Sequence, residues 1–213
     1  MKKAAIIFTD IKSSSILWAK YPTKMPLALQ KHGEQVTKFV KKYKGNIIKT
    51  MGDSYMIMLD TFEHAFRFCV GLIRHMQSNP ITLRKGSDFM KLNIRMGFSY
   101  GYIHVKNVNI QNHKLIDVFG ANVNKASRME SKVSDIQGFA FCVEDPLDMT
   151  IDIEKELKDI PHKISVIDYS KKCPSTITRS RRLLSSLQLS YECKLDTDLH
   201  GVGELTATKI SFQ

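Results

Sequence analysis

Apolar residues recur with a strand-like or a helical period over most of the chain, and their order predicts its first elements. A short apolar run ending at Ile11 predicts a first strand. Two β-compatible runs on either side of Gly52 and Asp53 predict a hairpin over residues 46–59. Helical spacing predicts helices over residues 13–21, 25–43 and 62–77.

Beyond residue 77 the pattern predicts a polar, basic loop followed by more strands and helices. The predicted strands cover residues 92–98, 102–106, 114–120, 139–143 and 206–212. The predicted helices cover residues 121–133 and 146–157. The order strand, helix, hairpin, helix, strand in the first half is that of a ferredoxin-like α/β sheet with its helices on one face.

Length, composition and cysteine spacing describe a single soluble domain over residues 1–213. The 213 residues, 43% hydrophobic and 25% charged, are enough to bury a hydrophobic core without stabilisation by disulfide bonds. The cysteines show no C-x-x-C spacing, which favours reduced thiols over a zinc site or disulfides: Cys69, Cys142, Cys173 and Cys193. No stretch approaches the ~20 apolar residues of a membrane span. We therefore expect a cytoplasmic, intracellular protein without a membrane span.

The net charge of +11 suits a polyanionic ligand, which could be a nucleic acid, a membrane surface or a nucleotide. No motif of a nucleic-acid-binding fold accompanies it, so we expect no nucleic-acid partner. Basic residues cluster at 171–182 among Ser, Thr and Pro, which predicts a basic, mobile insertion at about residues 158–198. This insertion would be a solvated loop or a basic docking patch.

Two carboxylates stand where strands end. Asp10 closes the first strand and Asp53 lies at the tip of the hairpin. If these strands pair, two hard oxygen ligands face one point, as in sites that hold Mg²⁺ or Mn²⁺ for phosphate chemistry. A plain hairpin turn is the alternative. The serines that follow at residues 13–15 would offer backbone N–H groups to phosphate or simply cap a helix.

A polar pair marks the helix predicted at residues 121–133. Asn124 and Arg128 are four residues apart, so they share a face and can reach the same ligand. A solvated helix face is the alternative explanation of this pair.

Four segments, in this order and spacing, resemble the class III nucleotidyl cyclase catalytic domain. They read FTDI, KTMGDSYM, IRMGFSYG and DVFGANVNKASRMES, and the resemblance continues to GVGEL near the C-terminus. The chain looks most like the cyclase domains of protist receptor-type enzymes. The resemblance implies a βαββαβ core of ferredoxin-like type, a mostly antiparallel sheet and a C-terminal extension.

The resemblance also implies a two-metal site. Asp10 and Asp53 match the metal-binding aspartates of the family, with Ile11 beside them, and each site takes two Mg²⁺ or Mn²⁺ ions. One ion helps to activate the ribose 3′-hydroxyl and the other holds the triphosphate. In-line attack on the α-phosphorus then closes the ring and expels pyrophosphate. The phosphate-cradling loop of the family corresponds to Ile11 and the four residues Lys12, Ser13, Ser14 and Ser15.

Further residues match positions that hold the nucleoside. Asn124 and Arg128 match the pair that orients the ribose and stabilises charge at the α-phosphate. Lys49 and Asp117 match the positions that recognise adenine, where an ammonium donates to N1 and a carboxylate accepts from the 6-amino group. Guanine presents an N1–H donor and an O6 acceptor at the same two positions. The resemblance therefore favours an adenylate cyclase that makes 3′,5′-cyclic AMP from ATP.

Members of this family place the metal aspartates and the Asn/Arg pair on opposite protomers, which implies a head-to-tail homodimer with two shared sites. One departure is Val202, where many members carry a lysine that contacts the triphosphate. Either Lys12 or a basic residue of 171–182 replaces that lysine, or activity is low.

Three alternatives stay open: a cyclase for GTP or a pyrimidine nucleotide, a non-catalytic nucleotide-binding module, and a polymerase-like or diguanylate-forming palm.

Overall fold

The fold is built on one large mixed sheet, seen here in a computed structural model that describes residues 1–110, 113–133, 137–159, 162–169, 190–193 and 205–212. Its strands are β1 (Lys2–Ile11), β2 (Asn46–Met51), β3 (Ser54–Leu59), β4 (Thr82–Lys85), β5 (Asp88–Lys91), β6 (Ile94–Ile110), β7 (His113–Phe119), β8 (Gln137–Val143), β9 (His162–Tyr169), β10 (Ser190–Cys193) and β11 (Leu205–Phe212). Its helices are α1 (Ser14–Lys20), α2 (Met25–Lys42), α3 (Phe62–Ser78), α4 (Ala121–Ser131) and α5 (Ile153–Leu157).

The main sheet has the strand order β10-β9-β11-β8-β6-β1-β3-β2, and β7 pairs with residues 104–110 of β6. The central strand β1 is antiparallel to both of its neighbours, β3 and β6. Parallel pairing occurs between β6 and β8 and between β9 and β10. The predicted mostly antiparallel, mixed α and β architecture is therefore confirmed.

Both faces of the sheet are covered. Ala5 and Ile7 of β1 pack into the larger core with residues of α1, α2 and α3, whereas Ala4 and Ile6 pack on the opposite face with Ala126 of α4. All four β1 side chains are fully buried. A strand buried on both faces reads as a continuous apolar run, as this one does. The helices of the first half, α1 to α3, pack on one face of the sheet as predicted, and α4, from the second half, packs on the opposite face, where it forms part of the candidate site.

Gly97 lets α4 lie directly on the sheet. A Cβ atom at this residue of β6 would lie 1.8 Å from the backbone nitrogen of Glu130 in the last turn of α4. Since no side chain can occupy that space, only glycine allows this approach. The C-terminal turn of α4 is thereby fixed beside β6 and its neighbour β1.

Most predicted elements are present, but two predictions are wrong. The predicted loop after residue 77 contains the hairpin of β4 and β5, which turns at Gly86 with a φ of 62°. The predicted helix over residues 146–157 is a short 3₁₀ turn, Pro146–Asp148, followed by the five-residue α5. Within the predicted insertion, β9 and β10 form strands of the main sheet. The basic cluster at 171–182 and the turn around Val202 lie outside the described residues.

Candidate active site

Asp10 lies at the end of β1 and its carboxylate is bound on both sides. It is the cross-strand neighbour of Arg95 on β6. Arg95 donates to Oδ2 of Asp10 from Nε at 3.0 Å and from Nη2 at 2.7 Å. Ser54, at the start of β3, donates from Oγ to Oδ1 at 2.7 Å. Strand register thus positions both partners of this carboxylate.

Asp53 occupies the turn between β2 and β3, next to Ser54, so the structure brings the two predicted metal ligands to the same end of the sheet. Gly52 precedes it with a φ of 66°, in the left-handed region that a tight hairpin turn needs. The Oδ2 atom of Asp53 is buried and has no hydrogen-bond partner among the described residues. A buried carboxylate oxygen without a donor is costly unless a cation compensates it.

Glu130 of α4 adds a third carboxylate that the sequence did not predict. Its Oε1 atom is buried and lies 2.5 Å from Nε of Arg95. The Nε–H group is directed at Asp10, so this contact is an ion pair rather than an aligned hydrogen bond. Burial raises the pKa of Glu130 to about 7; Arg95 opposes this rise, and the negative charges of Asp10 and Asp53 add to it.

The donor set fits a hard divalent cation. Mg²⁺ is usually held by one or two carboxylates together with substrate phosphates, and Asp10 and Asp53 supply two carboxylates with one orphaned oxygen. Within the described ranges, no group of three or more His, Cys, Asp or Glu side chains is arranged to bind a metal ion. The side chain of Ile11 is a hydrocarbon buried in the core, and its backbone carbonyl is the one atom with which this residue can bind a cation.

Lys12 and Ser13 connect the end of β1 to helix α1. Ser13 adopts a left-handed conformation, with a φ of 57°, and its carbonyl accepts from the N–H groups of Ile16 and Leu17. Its side chain makes no capping hydrogen bond, so N-capping by this hydroxyl does not explain the serines. The backbone N–H of Lys12 donates to Asn93 at 2.9 Å. The assignment of Lys12 and Ser13–Ser15 to phosphate binding stays a prediction.

Asn124 and Arg128 lie on the exposed face of α4, while Ala126 and Met129 are buried on the sheet side. At 3.6 residues per turn, Arg128 and Glu130 are separated by roughly 200° around the helix axis. Glu130 thus faces the carboxylates of its own chain and Arg128 faces away from them. The structure does not bring Asn124 and Arg128 to the Asp10 site of the same chain.

The start of α4 is held by a buried polar network. Asn122 accepts from Oγ of Ser99 at 2.7 Å, and its Nδ2 donates to the carbonyl of Tyr102 and to Oε2 of Glu144, both at 3.1 Å. These bonds fix α4 against β6 at its first turn, as Gly97 does at its last. Asn124 therefore sits on a rigid helix.

Lys49 on β2 and Asp117 on β7 form an ion pair. Their Nζ and Oδ2 atoms are 2.8 Å apart, and Oδ1 of Asp117 accepts from the N–H of Val118 at 2.8 Å. The lysine side chain is half exposed, so the pair is open to a ligand. The structure brings the two predicted base-reading residues together, and their role stays a prediction.

Comparison with known proteins shows the family of the chain. The family model described as the adenylate and guanylate cyclase catalytic domain matches residues 1–137, which is more than half of the chain and includes the candidate site residues from Asp10 to Glu130.

The chain belongs to this family.

Cyclases of fungi and trypanosomes are among its similar proteins. The chain is 30% identical over 145 residues to an adenylate cyclase of Neurospora crassa, a match that covers 62% of the chain and 6% of the relative. It is 48% identical over 52 residues, 24% of the chain, to the receptor-type adenylate cyclase GRESAG 4.1 of Trypanosoma brucei brucei. That match covers 4% of the relative, so the chain spans a small part of both proteins.

Solved cyclase structures share the fold. A structure of adenylate cyclases from Trypanosoma brucei in their monomeric state superposes with a TM-score of 0.64 at 18% identity, covering 100% of this cyclase domain and 89% of that chain. In the described part of the domain, no helix is both long and apolar enough to cross a membrane.

The sequence missed two residues of the site, Arg95 and Glu130. A signal for Glu130 exists in the segment RMES, because a residue two places after an exposed helical position points to the opposite, buried face. Arg95 interrupts the apolar strand around Ile94 and Met96, and a charge at such a position requires a partner. Neither signal identifies the residue that is contacted, because both contacts depend on how β6 pairs with β1 and on how α4 packs on the sheet.

Proposed function

We propose that this cyclase domain is an adenylate cyclase that converts ATP into 3′,5′-cyclic AMP and pyrophosphate, with Mg²⁺ or Mn²⁺ as its metal ions. The observation that carries this proposal is the placement of Asp10 and Asp53, with a buried, unpartnered carboxylate oxygen, at one end of the sheet. The names of its fungal and trypanosome relatives support the same reaction.

Two metal ions bound by Asp10, Asp53 and the carbonyl of Ile11 would neutralise phosphate charge and favour the ionised 3′-hydroxyl. The side chain of Lys12 and the backbone N–H groups of residues 13–15 bind the triphosphate. Orientation of these groups before substrate arrives limits the reorganisation that the reaction requires.

A homodimer would complete each site. The aspartates lie on the sheet side of α4, whereas Asn124 and Arg128 lie on its exposed side, so one chain carries two halves that face apart. In a head-to-tail dimer, Arg128 of one copy stabilises charge at the α-phosphate bound by the other copy, and Asn124 orients the ribose. Closed two-fold symmetry makes the two sites equivalent.

Adenine is the base that fits the ion pair of Lys49 and Asp117. The pair holds a donor and an acceptor side by side, 2.8 Å apart, and adenine needs a donor for N1 and an acceptor for its 6-amino group. Guanine would face a donor with its N1–H and an acceptor with its O6. Each mismatch leaves polar groups unpaired, which discriminates strongly between bases.

The test is cyclic nucleotide formation by the purified protein with ATP, GTP, CTP and UTP separately, in Mg²⁺ and in Mn²⁺. Asp53→Ala is expected to abolish the reaction because it removes the carboxylate with the orphaned oxygen. Asp60→Ala is the matched control, since Asp60 lies at the other end of β3 and pairs with Lys2 on the surface. Cyclic GMP as the main product would refute the base assignment. Nucleotide binding without turnover would indicate a regulatory module.

A further inference from the structure

Arg95 is held between two carboxylates of its own chain. Its Nε–H and Nη2–H groups both point to a single oxygen of Asp10, at 3.0 and 2.7 Å. Oε1 of Glu130 lies 2.5 Å from the same Nε without an aligned hydrogen bond. The Arg95 side chain is partly buried, with 33% of it exposed.

A metal ion and Arg95 compete for Asp10. Both N–H groups of the arginine occupy the lone pairs of Oδ2, and a divalent cation beside a guanidinium repels it. Metal binding to the carboxylate therefore weakens the hold of Asp10 on Arg95 and favours release of the guanidinium from Oδ2. A guanidinium released in a partly buried site needs another acceptor, because an unpaired buried charge is costly.

Glu130 is placed to be that acceptor. Its side chain is only 14% exposed, and Oε1 has no hydrogen-bond partner among the described residues. The contact of Gly97 with the backbone of Glu130 fixes this carboxylate beside β6. Because Oε1 already lies 2.5 Å from Nε, reorientation of the guanidinium is enough for its N–H groups to donate to Glu130.

We propose that Glu130 is a positioning residue of the metal site of its own chain, which takes over Arg95 when a metal ion occupies Asp10. This inference rests on the metal role of Asp10 in the proposed function. Direct metal ligation by Glu130 is the competing role, and the geometry disfavours it because Asp10, Asp53 and Glu130 do not form a three-ligand group among the described residues.

The two faces of α4 then have different tasks. Glu130 faces the metal site of its own chain, while Arg128, on the other side of the same helix, faces outward toward a second copy. A single rigid helix, held by Gly97 at one end and by Asn122 at the other, would then serve both sites of the dimer.

The test is Mn²⁺ binding by the full chain without nucleotide, followed through the electron paramagnetic resonance signal of free Mn²⁺. E130Q keeps the shape of the side chain and removes its charge, so it should raise the dissociation constant about tenfold, the size of one good ion-pair interaction. In an R95Q background the same E130Q change should have an effect at least about threefold smaller. E156Q is the matched control, because Glu156 pairs with Arg67 away from the site.

Equal losses on E130Q in both backgrounds would show that Glu130 binds the metal itself and would overturn the proposal. No loss in either background would also overturn it. If E130Q does not fold, R95Q alone decides: tighter Mn²⁺ binding than in the wild type supports the release of Arg95, and unchanged or weaker binding contradicts it. Absence of Mn²⁺ binding by the wild type, both alone and with inorganic pyrophosphate added in place of the substrate phosphates, would instead refute the metal assignment on which the proposed function depends.

Discussion

Ser54 donates a hydrogen bond from its Oγ to Oδ1 of Asp10 over 2.7 Å and thereby ties the tip of the β2–β3 hairpin to the end of β1. Since Asp53 directly precedes Ser54, this bond also fixes the distance between the two candidate metal ligands. Replacement of a metal-site hydrogen-bond partner typically lowers metal affinity or activity by about 10–100-fold.

Ser54→Ala should therefore raise the Mn²⁺ concentration needed for half-maximal cyclic AMP formation by about tenfold. The free energy of unfolding should fall by only about 1 kcal/mol, because one hydrogen bond is lost. Ser87→Ala, in the exposed turn between β4 and β5, is the control and should change neither quantity. An unchanged Mn²⁺ requirement for Ser54→Ala would show that the bond does not position the site.

Complementation tests the shared site. Asp53→Ala and Arg128→Ala should each lower activity at least about 100-fold, because each removes a charged group that acts on the phosphates. After unfolding and refolding together, the mixture should recover about a quarter of wild-type activity, since half of the dimers are mixed and each of these holds one intact site.

The control for complementation is a mixture of Asp10→Ala and Asp53→Ala. Both changes lie in the same half of the site, so no combination of these chains restores an intact one. Recovery by this pair, or none by Asp53→Ala with Arg128→Ala despite dimer formation in sedimentation, would refute the head-to-tail arrangement.

A charge swap tests base recognition. Lys49→Glu combined with Asp117→Lys keeps an ion pair at this place but exchanges its donor and acceptor. The ratio of kcat/KM for ATP to that for GTP should fall at least about 100-fold, because two polar contacts change sign. Retained preference for ATP, in a protein with an unchanged melting temperature, would mean that the ion pair is only structural.

Local chemistry made half of the candidate site predictable. A strand that ends on Asp10 and a hairpin that turns at Asp53 are visible in short stretches, and adjacent strands bring the two together. Arg95 and Glu130 could not be assigned a role in this way. Their meeting depends on the register of β6 with β1 and on the face of the sheet that α4 covers.

The wrong secondary-structure predictions also have physical causes. Strands β4 and β5 are four residues each, too short to show a clear period. The region predicted as one helix over 146–157 contains two separate helix starts, because Asp145 accepts from the N–H of Leu147 and Asp152 accepts from that of Lys155. An N-cap residue has a non-helical backbone conformation, so one continuous helix cannot pass through Asp152.

Buried His32 should contribute an acid-dependent loss of stability to the metal-free protein. The ring is fully buried in α2 against Tyr55, and neither nitrogen has a hydrogen-bond partner among the described residues. Burial lowers the pKa of His32 to about 4, and the charge of Asp10 only partly opposes this. The unfolded chain takes up a proton near pH 6.5, whereas the folded one resists protonation until about pH 4.

Above pH 6.5 His32 is neutral in both states and does not lower the free energy of unfolding. As the pH falls toward 4, only the unfolded chain takes up the proton, so the free energy of unfolding decreases. At pH 5 the contribution of His32 should lower the free energy of unfolding by about 2 kcal/mol relative to pH 7.5. The raised pKa of Glu130 acts in the opposite direction over this range, so the comparison with a His32 variant isolates the contribution of the histidine. His32→Gln should unfold with a smaller difference between these two pH values, measured by urea denaturation in the absence of metal. His104→Gln is the control, because His104 is exposed on β6. An equal pH dependence in wild type and His32→Gln would place the acid sensitivity in another group.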